Sequence, residues 1–525
     1  MIQLKTAQRT VVILLLLAFG IVRVYAQAGT TSRGTEFWTA WMDHIGGADG
    51  DISQMTLYIT ADAATTGTVS FTDGTPSLLF SVIPNEVTFV NIPSTQLLSA
   101  AGQFNKGIHI TSLKPIGVYA HIYASNVSGA TLLLPVNTLG KSYYSLNYTQ
   151  VSNSGRKTPA YSVFDVVATE DATTIQITPS AALLDGKPAN QLFTITLNKG
   201  QVYQGLSSTD LTGTKIQSVS TNNNTCKKIA VFSGSSKIGI GCIDSTVPQD
   251  NNKLTSDNLF QQVYPISTWG KNYIAVSLKD RNYDIYRIVL SDPSTTVTIN
   301  GNRVPSNLFQ NGLYYNYTTA GNTSSTIAAD KPIQVVQYTP SQDQDINCNI
   351  NNERAGDPEM IYLTPIEQGI DHVTLYSTGY YNIIQSYINV VIPVTGIPSF
   401  TLDGQSYTDF TPVTGNNAYA YAQIPVTSGP GSEPGSGGTI SSGTHHIQAA
   451  VPFNAIAYGF GAAESYGYAA GTNLKNLNEF IALQNPQNNT TTTAGCIGLT
   501  YNLQLTLPYQ TSSITWDLKN GNPPV

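Results

Sequence analysis

Charged residues are scarce in this chain. Asp, Glu, Lys and Arg make up only 11% of its 525 residues, and the formal net charge is -7. No run of Lys and Arg appears in the sequence, so it lacks the concentrated positive patch with which proteins contact phosphate backbones. We therefore expect no nucleic-acid partner, and the mild acidity is too diffuse to indicate another charged partner.

Motifs that carry catalysis or hold a cofactor are also missing. The four cysteines include no C-x-x-C pair, so zinc ribbons and thioredoxin-like redox chemistry are unsupported. The sequence contains neither H-E-x-x-H nor G-x-S-x-G nor a phosphate loop, and its six histidines are scattered. We therefore predict no catalytic residue, no cofactor and no enzymatic activity.

Long apolar runs are confined to the amino terminus. Residues 11–22 are apolar, follow two basic residues, and precede small residues that end at Ala26. This pattern is typical of a secretory signal peptide, and the run is shorter than the roughly 20 residues that span a bilayer. We predict a signal peptide at 1–26 and a secreted or cell-surface chain that begins at Gln27 without a membrane span. An uncleaved membrane anchor is the alternative.

Export permits disulfides, and two cysteines are spaced for one. Cys226 and Cys242 flank "KKIAVFSGSSKIGIG" closely enough to close a short loop, so we predict that they pair. The sequence leaves the pairing of Cys348 and Cys496 open, because they are far apart. Four unpaired buried thiols are the alternative.

The residues that are abundant favour β-structure. Thirty tyrosines, 44 glycines and many threonines and asparagines suit pleated strands joined by tight turns. An octapeptide with a strand-like alternation recurs as "KPIGVYAH", "KKIAVFSG", "KPIQVVQY" and "VPFNAIAY", with starts roughly a hundred residues apart. This spacing is close to the size of a β-sandwich module and far above that of solenoid repeats.

Two earlier patterns recur in the same order before each octapeptide. One is a strand such as "GTEFWTAW" or "GKNYIAVSL"; the other is a hairpin-like segment with an acidic, threonine-rich turn, such as "ATEDATTIQITP". We therefore predict an all-β fold of four tandem sandwich-like units, with a β-propeller as the alternative. The predicted unit bounds are 34–131, 132–256, 257–358 and 359–479.

An ordered set of segments resembles a known family. "GTEFWTAW", "DVVATEDATTIQITP", "VYPISTWGKNYIAV", "GDPEMIYLTPIEQ" and "SYGYAAG" occur in this order and are similar to the amino-terminal domain of the IgGFc-binding protein family. The resemblance covers residues 27–479. It implies an extracellular module of the kind found in a vertebrate mucus protein and in many secreted bacterial proteins. It supplies no catalytic residues. We expect this chain to be a bacterial member of the family, for which antibody binding does not follow.

The sequence changes character after residue 479. A polar linker precedes "CIGLTYNLQLTLPYQTSSITWDLKNG", which alternates like the first strands of a new sandwich. We interpret 480–525 as a linker and the incomplete start of an Ig-like or PKD-like module, so that other domains of a longer protein are expected. A tail that packs back on the fourth unit is the alternative.

One oxygen-rich segment is a candidate for calcium. "DQDINCN" places Asp343, Asp345, Asn347 and Asn349 at alternate positions, which is the spacing of many calcium loops. A cysteine replaces the glycine that an EF-hand loop requires, and the glutamate at its twelfth position is missing. A solvated loop is the alternative.

The sequence favours a noncatalytic binding or adhesion module. Its ligand is expected to be a glycan or glycoprotein, held by loops at the ends of the sandwiches. We interpret the glycine-rich insertion 428–438 as a mobile loop rather than a binding site. A structural spacer is the first alternative and a hydrolase with an unrecognised site is the second. An exposed aromatic or acidic cluster would favour the binder, whereas a buried carboxylate with a shifted pKa in a cleft would favour the hydrolase.

Overall fold

The computed structural model describes most of the chain. The described residues are 30–46, 52–154, 159–220, 226–241, 254–342, 344, 355–379, 382–427, 443–478 and parts of the chain between 480 and 516. They form antiparallel strands and a few short 3-10 helices, which confirms the all-β prediction. No helix in these ranges has the length and apolarity needed to cross a membrane.

The strands fall into four segments followed by a small sheet. The first segment contains β1 (Gly34–Thr39), β2 (Gln54–Thr60), β3 (Thr65–Phe71), β4 (Leu78–Val82), β5 (Thr88–Ile92), β6 (Gly102–Phe104), β7 (Ile108–Tyr123) and β8 (Ser128–Leu132). The second contains β9 (Ser142–Tyr144), β10 (Ser162–Ala168), β11 (Thr173–Thr178), β12 (Phe193–Leu197), β13 (Val202–Ser207), β14 (Lys215–Ser218), β15 (Ile229–Ile238) and β16 (Asp257–Gln262).

The third and fourth segments repeat this order with small differences. The third contains β17 (Gly270–Val276), β18 (Tyr283–Leu290), β19 (Val297–Ile299), β20 (Asn302–Arg303), β21 (Tyr314–Ala320), β22 (Ser324–Tyr338) and β23 (Met360–Tyr362). The fourth contains β24 (Ile370–Ser377), β25 (Ile383–Pro393), β26 (Thr401–Leu402), β27 (Gln405–Ser406), β28 (Thr411–Val413), β29 (Asn416–Thr427), β30 (Gly443–Gly461) and β31 (Glu464–Gly471).

Short 3-10 helices and a last sheet complete the described structure. The 3-10 helices are Ser94–Gln96, Val136–Thr138, Ile266–Thr268, Ser306–Leu308, Ile366–Gln368 and Val394–Ser399. The last sheet contains β32 (Phe480–Gln484), β33 (Thr491–Thr492) and β34 (Asn502–Thr506) in the order β33-β32-β34. It lies within the region predicted to begin a further module, which stays a prediction.

One pairing scheme recurs in all four segments. The first half of the long strand β7 pairs with β1 and β3, and its second half pairs with β2 and β8. Strand β22 pairs in the same way with β17, β19, β18 and β23, and β30 with β24, β26, β25 and β31. In the second segment two separate strands take the place of the long one: β14 pairs with β9 and β11, and β15 pairs with β10 and β16. The recurrence supports the proposal of four repeated units.

Two details differ from the sequence predictions. The predicted hairpins are wrong, because β2 does not pair with β3, nor β10 with β11. Instead β2 and β3 pair with different halves of β7, and β10 and β11 pair with β15 and β14. The predicted bounds 132–256 and 257–358 separate β15 from β16, which pair with each other. In an up-and-down propeller blade the strands lie in sequence order. The sheet order here is β4-β3-β7-β2-β5, which does not follow the sequence.

Burial follows the position of each strand in the sheets. In β11 the buried residues Thr173, Ile175 and Ile177 alternate with half-exposed ones, as expected for a strand with one face on the core. Every residue of β10 is buried, because β10 lies between β13 and β15 and is covered on both faces. One hydrophobic core runs through the first three segments and includes Trp41 and Phe164.

The beginning of the described chain meets the end of the fourth segment. The backbone N–H of Ser32 donates to the carbonyl of Thr472 at 2.8 Å, and Thr31 forms a β-bridge with Asn473. The first and fourth segments also share a core that includes Tyr58, Tyr119 and Tyr468. The first and fourth segments, which are farthest apart in sequence, therefore pack against each other.

Candidate functional site

Strands β8, β16, β23 and β31, one from each segment, pack together, and we call them the central strands. Gln261 Nε2 in β16 donates to the carbonyl of Ala130 in β8 at 2.7 Å and to that of Gly467 in β31 at 3.0 Å. Gly467 lies so close to β23 that a Cβ at this position would be 2.6 Å from Ile361 Cδ1. The first residues of these strands are therefore neighbours, although they are far apart in sequence.

Acidic side chains lie where three of the central strands begin. Asp257 and Glu464 are the first residues of β16 and β31, Glu359 directly precedes β23, and Asp357 lies two residues before Glu359. Each of these four side chains is 0% exposed. We call this group the central carboxyl cluster. Burial of four carboxyl groups is costly unless hydrogen bonds, protons or cations compensate their charge.

Asp257 is the best-compensated member of the central carboxyl cluster. Its Oδ1 accepts hydrogen bonds from the backbone N–H groups of Ser128 and Asn258, and its Oδ2 accepts from Ser465 N and Oγ, each at 3.0 Å. Burial, and then repulsion from the other three carboxyl groups, raises its pKa well above the ordinary value. These contacts join three segments, so the role of Asp257 is structural.

Asp357 is only partly compensated and lies in the wall of a pocket. The Thr255 hydroxyl donates to its Oδ1, whereas its Oδ2 has no hydrogen-bond partner among the described residues. Burial raises the pKa of Asp357 to about 7. We call the cavity in front of it, with a volume of about 310 Å³, the central pocket. The central pocket is lined by Ser125, Asn126, Asn153, Lys237, Thr255, Ser256, Asp357 and Ala463.

The two remaining carboxyl groups lie deeper. Glu359 Oε1 accepts a hydrogen bond from the backbone N–H of Met360 at 2.7 Å, and its Oε2 has no partner in the described part of the chain. Burial raises the pKa of both Glu359 and Glu464 well above the usual range. Both groups therefore favour the protonated state unless a positive charge lies near.

Two basic groups act on the central carboxyl cluster from its edge. Lys237 Nζ lies 3.4 Å from the carbonyl oxygen of Gly46, and the Arg281 guanidinium donates to the carbonyls of Ala355 (2.6 Å) and Pro340. Their charges pull the pKa of Asp357 down, against the larger effect of burial.

A second cavity lies on the outer face of the first segment. This groove, of about 440 Å³, is lined by residues of β3, β4 and the middle of β7. Its rim carries Leu79 and Leu113, which are 83% and 82% exposed, beside the hydroxyl groups of Thr66, Thr68 and Ser81. We call it the outer groove. Exposed leucines next to hydroxyl groups suit a ligand that presents both apolar and hydrogen-bonding surface.

Comparison with known proteins places the chain in a family. The sequence model of the family described as "IgGFc binding protein" matches residues 129–459, which is more than half of the chain. The chain belongs to this family. A human protein named "IgGFc-binding protein" is 26% identical over 330 residues, which cover 62% of this chain and 6% of the human protein. The chain thus spans a small part of that relative's length.

The family match confirms the resemblance inferred from the sequence segments. The matched residues include Lys237, Asp257, Asp357 and Glu359, and they exclude Glu464 and the outer groove. Most of the central pocket therefore lies in the part of the chain that matches the family model. The bacterial origin that we expected for the chain stays a prediction.

The predicted site residues lie largely outside the described residues. This holds for Asp343, Asp345, Asn347 and Asn349 of the calcium candidate. The predicted signal peptide and the 428–438 loop also lie outside the described residues. Cys226 is half-buried, but Cys242 lies outside the described residues, so their disulfide stays a prediction. No group of three or more His, Cys, Asp or Glu in the described ranges is placed to hold a metal ion by itself.

Sequence reasoning did not identify the central carboxyl cluster. A signal was present, because an acidic residue precedes Pro265 and Pro365 by eight positions in "DNLFQQVYP" and "DPEMIYLTP". The second of these segments contributed to the family resemblance, yet nothing in one sequence shows that such strand starts converge. Their burial is a property of the packed molecule.

Proposed function

We propose that this protein is a noncatalytic extracellular binding module whose ligand is a glycan or glycoprotein. The observation that carries the proposal is membership, over residues 129–459, of a family described by a binding activity. The predicted signal peptide supports an extracellular location. The human relative is named for binding the Fc part of IgG, so immunoglobulin Fc is one candidate ligand among several.

The outer groove is the binding surface that the geometry favours. Leu79 and Leu113 are almost fully exposed there, and scattered hydroxyl groups offer hydrogen bonds to a sugar or a peptide. The groove lies on a sheet, which holds its side chains in fixed positions. A structural spacer would need no such surface.

A glycan and glycoprotein array that includes immunoglobulin Fc tests this proposal. The chain from residue 27 onward should bind at least one component saturably. Leu79→Asp and Leu113→Asp should each weaken that binding about tenfold or more, because a charge that loses its water in an apolar contact is costly. Leu184→Asp, at another exposed leucine, should leave it unchanged. Absence of binding to the whole array would favour the spacer.

One observation supports a hydrolase as the second candidate. The Thr255 hydroxyl donates to Asp357, whose pKa is raised to about 7 by burial, and both residues line the central pocket. A hydroxyl next to a carboxylate that titrates near neutrality has the arrangement of a nucleophile, here Thr255, with its general base, here Asp357. Turnover of ester, peptide or polysaccharide substrates that is lost in both Thr255→Val and Asp357→Asn would establish this function in place of binding.

A further inference from the structure

Two hairpin turns from different segments contribute to the central pocket. The two-residue turn between β7 and β8 consists of Ser125 and Asn126 and is closed by two backbone hydrogen bonds of 2.9 and 3.1 Å. The equivalent turn between β30 and β31 consists of Ala462 and Ala463. Ser125, Asn126 and Ala463 all line the central pocket. Because the fourth segment has alanines at this turn, the repeated fold does not require the hydroxyl and amide groups that the first segment places there.

The exposed polar groups of the central pocket are neutral. Ser125, Asn126 and Asn153 are exposed, and their side chains carry a hydroxyl and two amides. The two charged residues of the described lining are buried, since Lys237 is 5% exposed and Asp357 is 0% exposed. A ligand that enters the pocket therefore contacts hydroxyl and amide groups first.

These exposed groups have unused hydrogen-bonding capacity. In the described part of the chain, neither the Ser125 hydroxyl nor the Asn153 side-chain amide has a hydrogen-bond partner. Asn126 Oδ1 accepts from Asn382 Nδ2 at 2.9 Å, which orients the Asn126 amide and leaves its N–H groups available. The backbone N–H of Asn153 donates to Ser256 Oγ at 3.3 Å. The pocket thus offers held donors and acceptors that no described residue uses.

The size and chemistry of the central pocket suit a sugar. Its volume of about 310 Å³ lies at the lower end of the roughly 300–1,000 Å³ of small-ligand pockets, so it accommodates one small molecule. Hydroxyl groups of a neutral sugar donate and accept hydrogen bonds, as the Ser125 hydroxyl and the two amides also do. A charged sugar such as a sialic acid would meet no exposed counter-charge on the described lining residues, and burial of its charge would be costly.

We propose that the central pocket binds a neutral sugar residue of a glycan through the side chains of Ser125, Asn126 and Asn153. The inference rests on the proposed function, to which it adds a second site and the class of sugar. The described lining residues include no aromatic ring on which a sugar could stack. A few hydrogen bonds alone give an affinity of roughly 1 mM or weaker for a free monosaccharide.

Saturation-transfer difference NMR with free monosaccharides tests the proposal. The secreted chain is titrated with glucose, galactose, mannose, fucose and N-acetylglucosamine, and at least one of them should bind saturably. Asn153→Ala, which removes an exposed amide without a described partner, should weaken this binding severalfold. Asn126→Gly should also weaken it, and glycine tolerates the φ of 60° at this position. Asn311→Gly, at another exposed asparagine with a φ of 53°, is the matched control and should leave binding unchanged.

Three results would overturn the proposal, provided that circular dichroism shows each variant to be folded. They are binding of no monosaccharide, equal binding by the wild type and Asn153→Ala, and binding that is lost in Leu79→Asp instead, which would place the sugar in the outer groove. Failure of this inference is distinguishable from failure of the proposed function. If no monosaccharide binds but Leu79→Asp weakens binding to an array component, the outer groove is a binding surface and the central pocket is not.

Discussion

Individual buried polar residues connect the segments of this molecule. Arg287 in β18 is 1% exposed and donates to Asp210 Oδ2 and to the Asn147 carbonyl, each at 2.8 Å. Its guanidinium lies over the rings of Tyr314 and Tyr148, at 4.3 and 4.6 Å from their centroids. This arginine therefore joins the second and third segments through charge, hydrogen bonds and cation–π contacts.

Replacing Arg287 should strongly destabilise the fold. Arg287→Ala removes the positive charge that pairs with Asp210 and the cation–π contacts with Tyr148 and Tyr314, so we expect a loss of roughly 3–5 kcal/mol in the free energy of unfolding. Arg303→Ala, at an exposed arginine of β20, should change it by less than about 0.5 kcal/mol. Urea titration followed by tyrosine and tryptophan fluorescence measures both. If Arg287→Ala and Arg303→Ala both changed the free energy of unfolding by a similarly small amount, the Arg287 contacts would contribute little to stability.

A second residue-scale prediction concerns pH. Asp284 is fully buried, and burial raises its pKa from 3.8 to about 7. Because the folded state binds this proton more tightly than the unfolded state, the resulting stability is present below the unfolded pKa and is lost as pH rises through about 7. Asp284→Asn should therefore lose less stability than the wild type between about pH 4 and pH 8.

Chemical denaturation at a series of pH values measures that difference. The buried His44, whose pKa is lowered to about 4 by burial, acts in the opposite direction in both proteins and cancels in the comparison. Asp409→Asn, which removes an exposed carboxylate, should have the wild-type pH profile. Parallel profiles for the wild type and Asp284→Asn would refute the prediction.

At the scale of elements, the sequence predicted strands better than their partners. The four recurring octapeptides fall on the strands β7, β15, β22 and β30, apart from Lys227 and Lys228, which precede β15. Sequence reasoning could find these strands because their period of two is a local property. The predicted hairpins were wrong, because an acidic turn between two apolar runs indicates where the chain reverses direction but not which strands pair with each other. Pairing was decided by the long strands, which accept a partner on each side.

Close approach of glycine to proline recurs at the start of the segments. Cβ atoms built on Gly34, Gly140 and Gly270 would lie 2.3 to 2.4 Å from the Cβ of Pro135, Pro265 and Pro365 respectively. Each glycine begins a segment, and each proline precedes the 3-10 helix that leads out of the same segment. The lack of a side chain at these glycines lets a segment's two ends touch.

A methyl group at one of these glycines should therefore be costly. Gly140→Ala places a Cβ 2.4 Å from Pro265 Cβ, and the necessary shift of the rigid ring should cost about 1–3 kcal/mol of unfolding free energy. Gly117→Ala is the matched control, since its Cβ would meet only the rotatable Thr60 hydroxyl at 3.0 Å. Differential scanning calorimetry should show a clearly larger decrease in Tm for Gly140→Ala. Similar decreases would contradict the role of the contact.

At the scale of the whole molecule, the segments depend on one another. The Tyr119 hydroxyl of the first segment donates to the carbonyl of Ala470 in the fourth, and Asp257 of the second is held by Ser128 and Ser465. The sequence suggested modules in tandem, but it could not show these contacts, because they join residues hundreds of positions apart. For the same reason it could not show the central pocket.

The first segment should not fold alone. A fragment of residues 27–131 exposes the faces of β7 and β8 that pack on the second and fourth segments, so we expect little native β-structure in its circular dichroism. The chain of residues 27–478 should fold and unfold in one cooperative transition, because its segments share cores. A stable, soluble first segment would show that the units are independent modules.

The central claim, that this protein binds an extracellular glycan or glycoprotein, is tested most directly by surface plasmon resonance. The chain of residues 27–525 is passed over each array component that it recognises, with the glycoprotein components measured before and after enzymatic removal of their glycans. The account predicts saturable binding to at least one component that is weakened by Leu79→Asp and unchanged by Leu184→Asp. Binding to no component, or equal binding by both variants and the wild type, would contradict it.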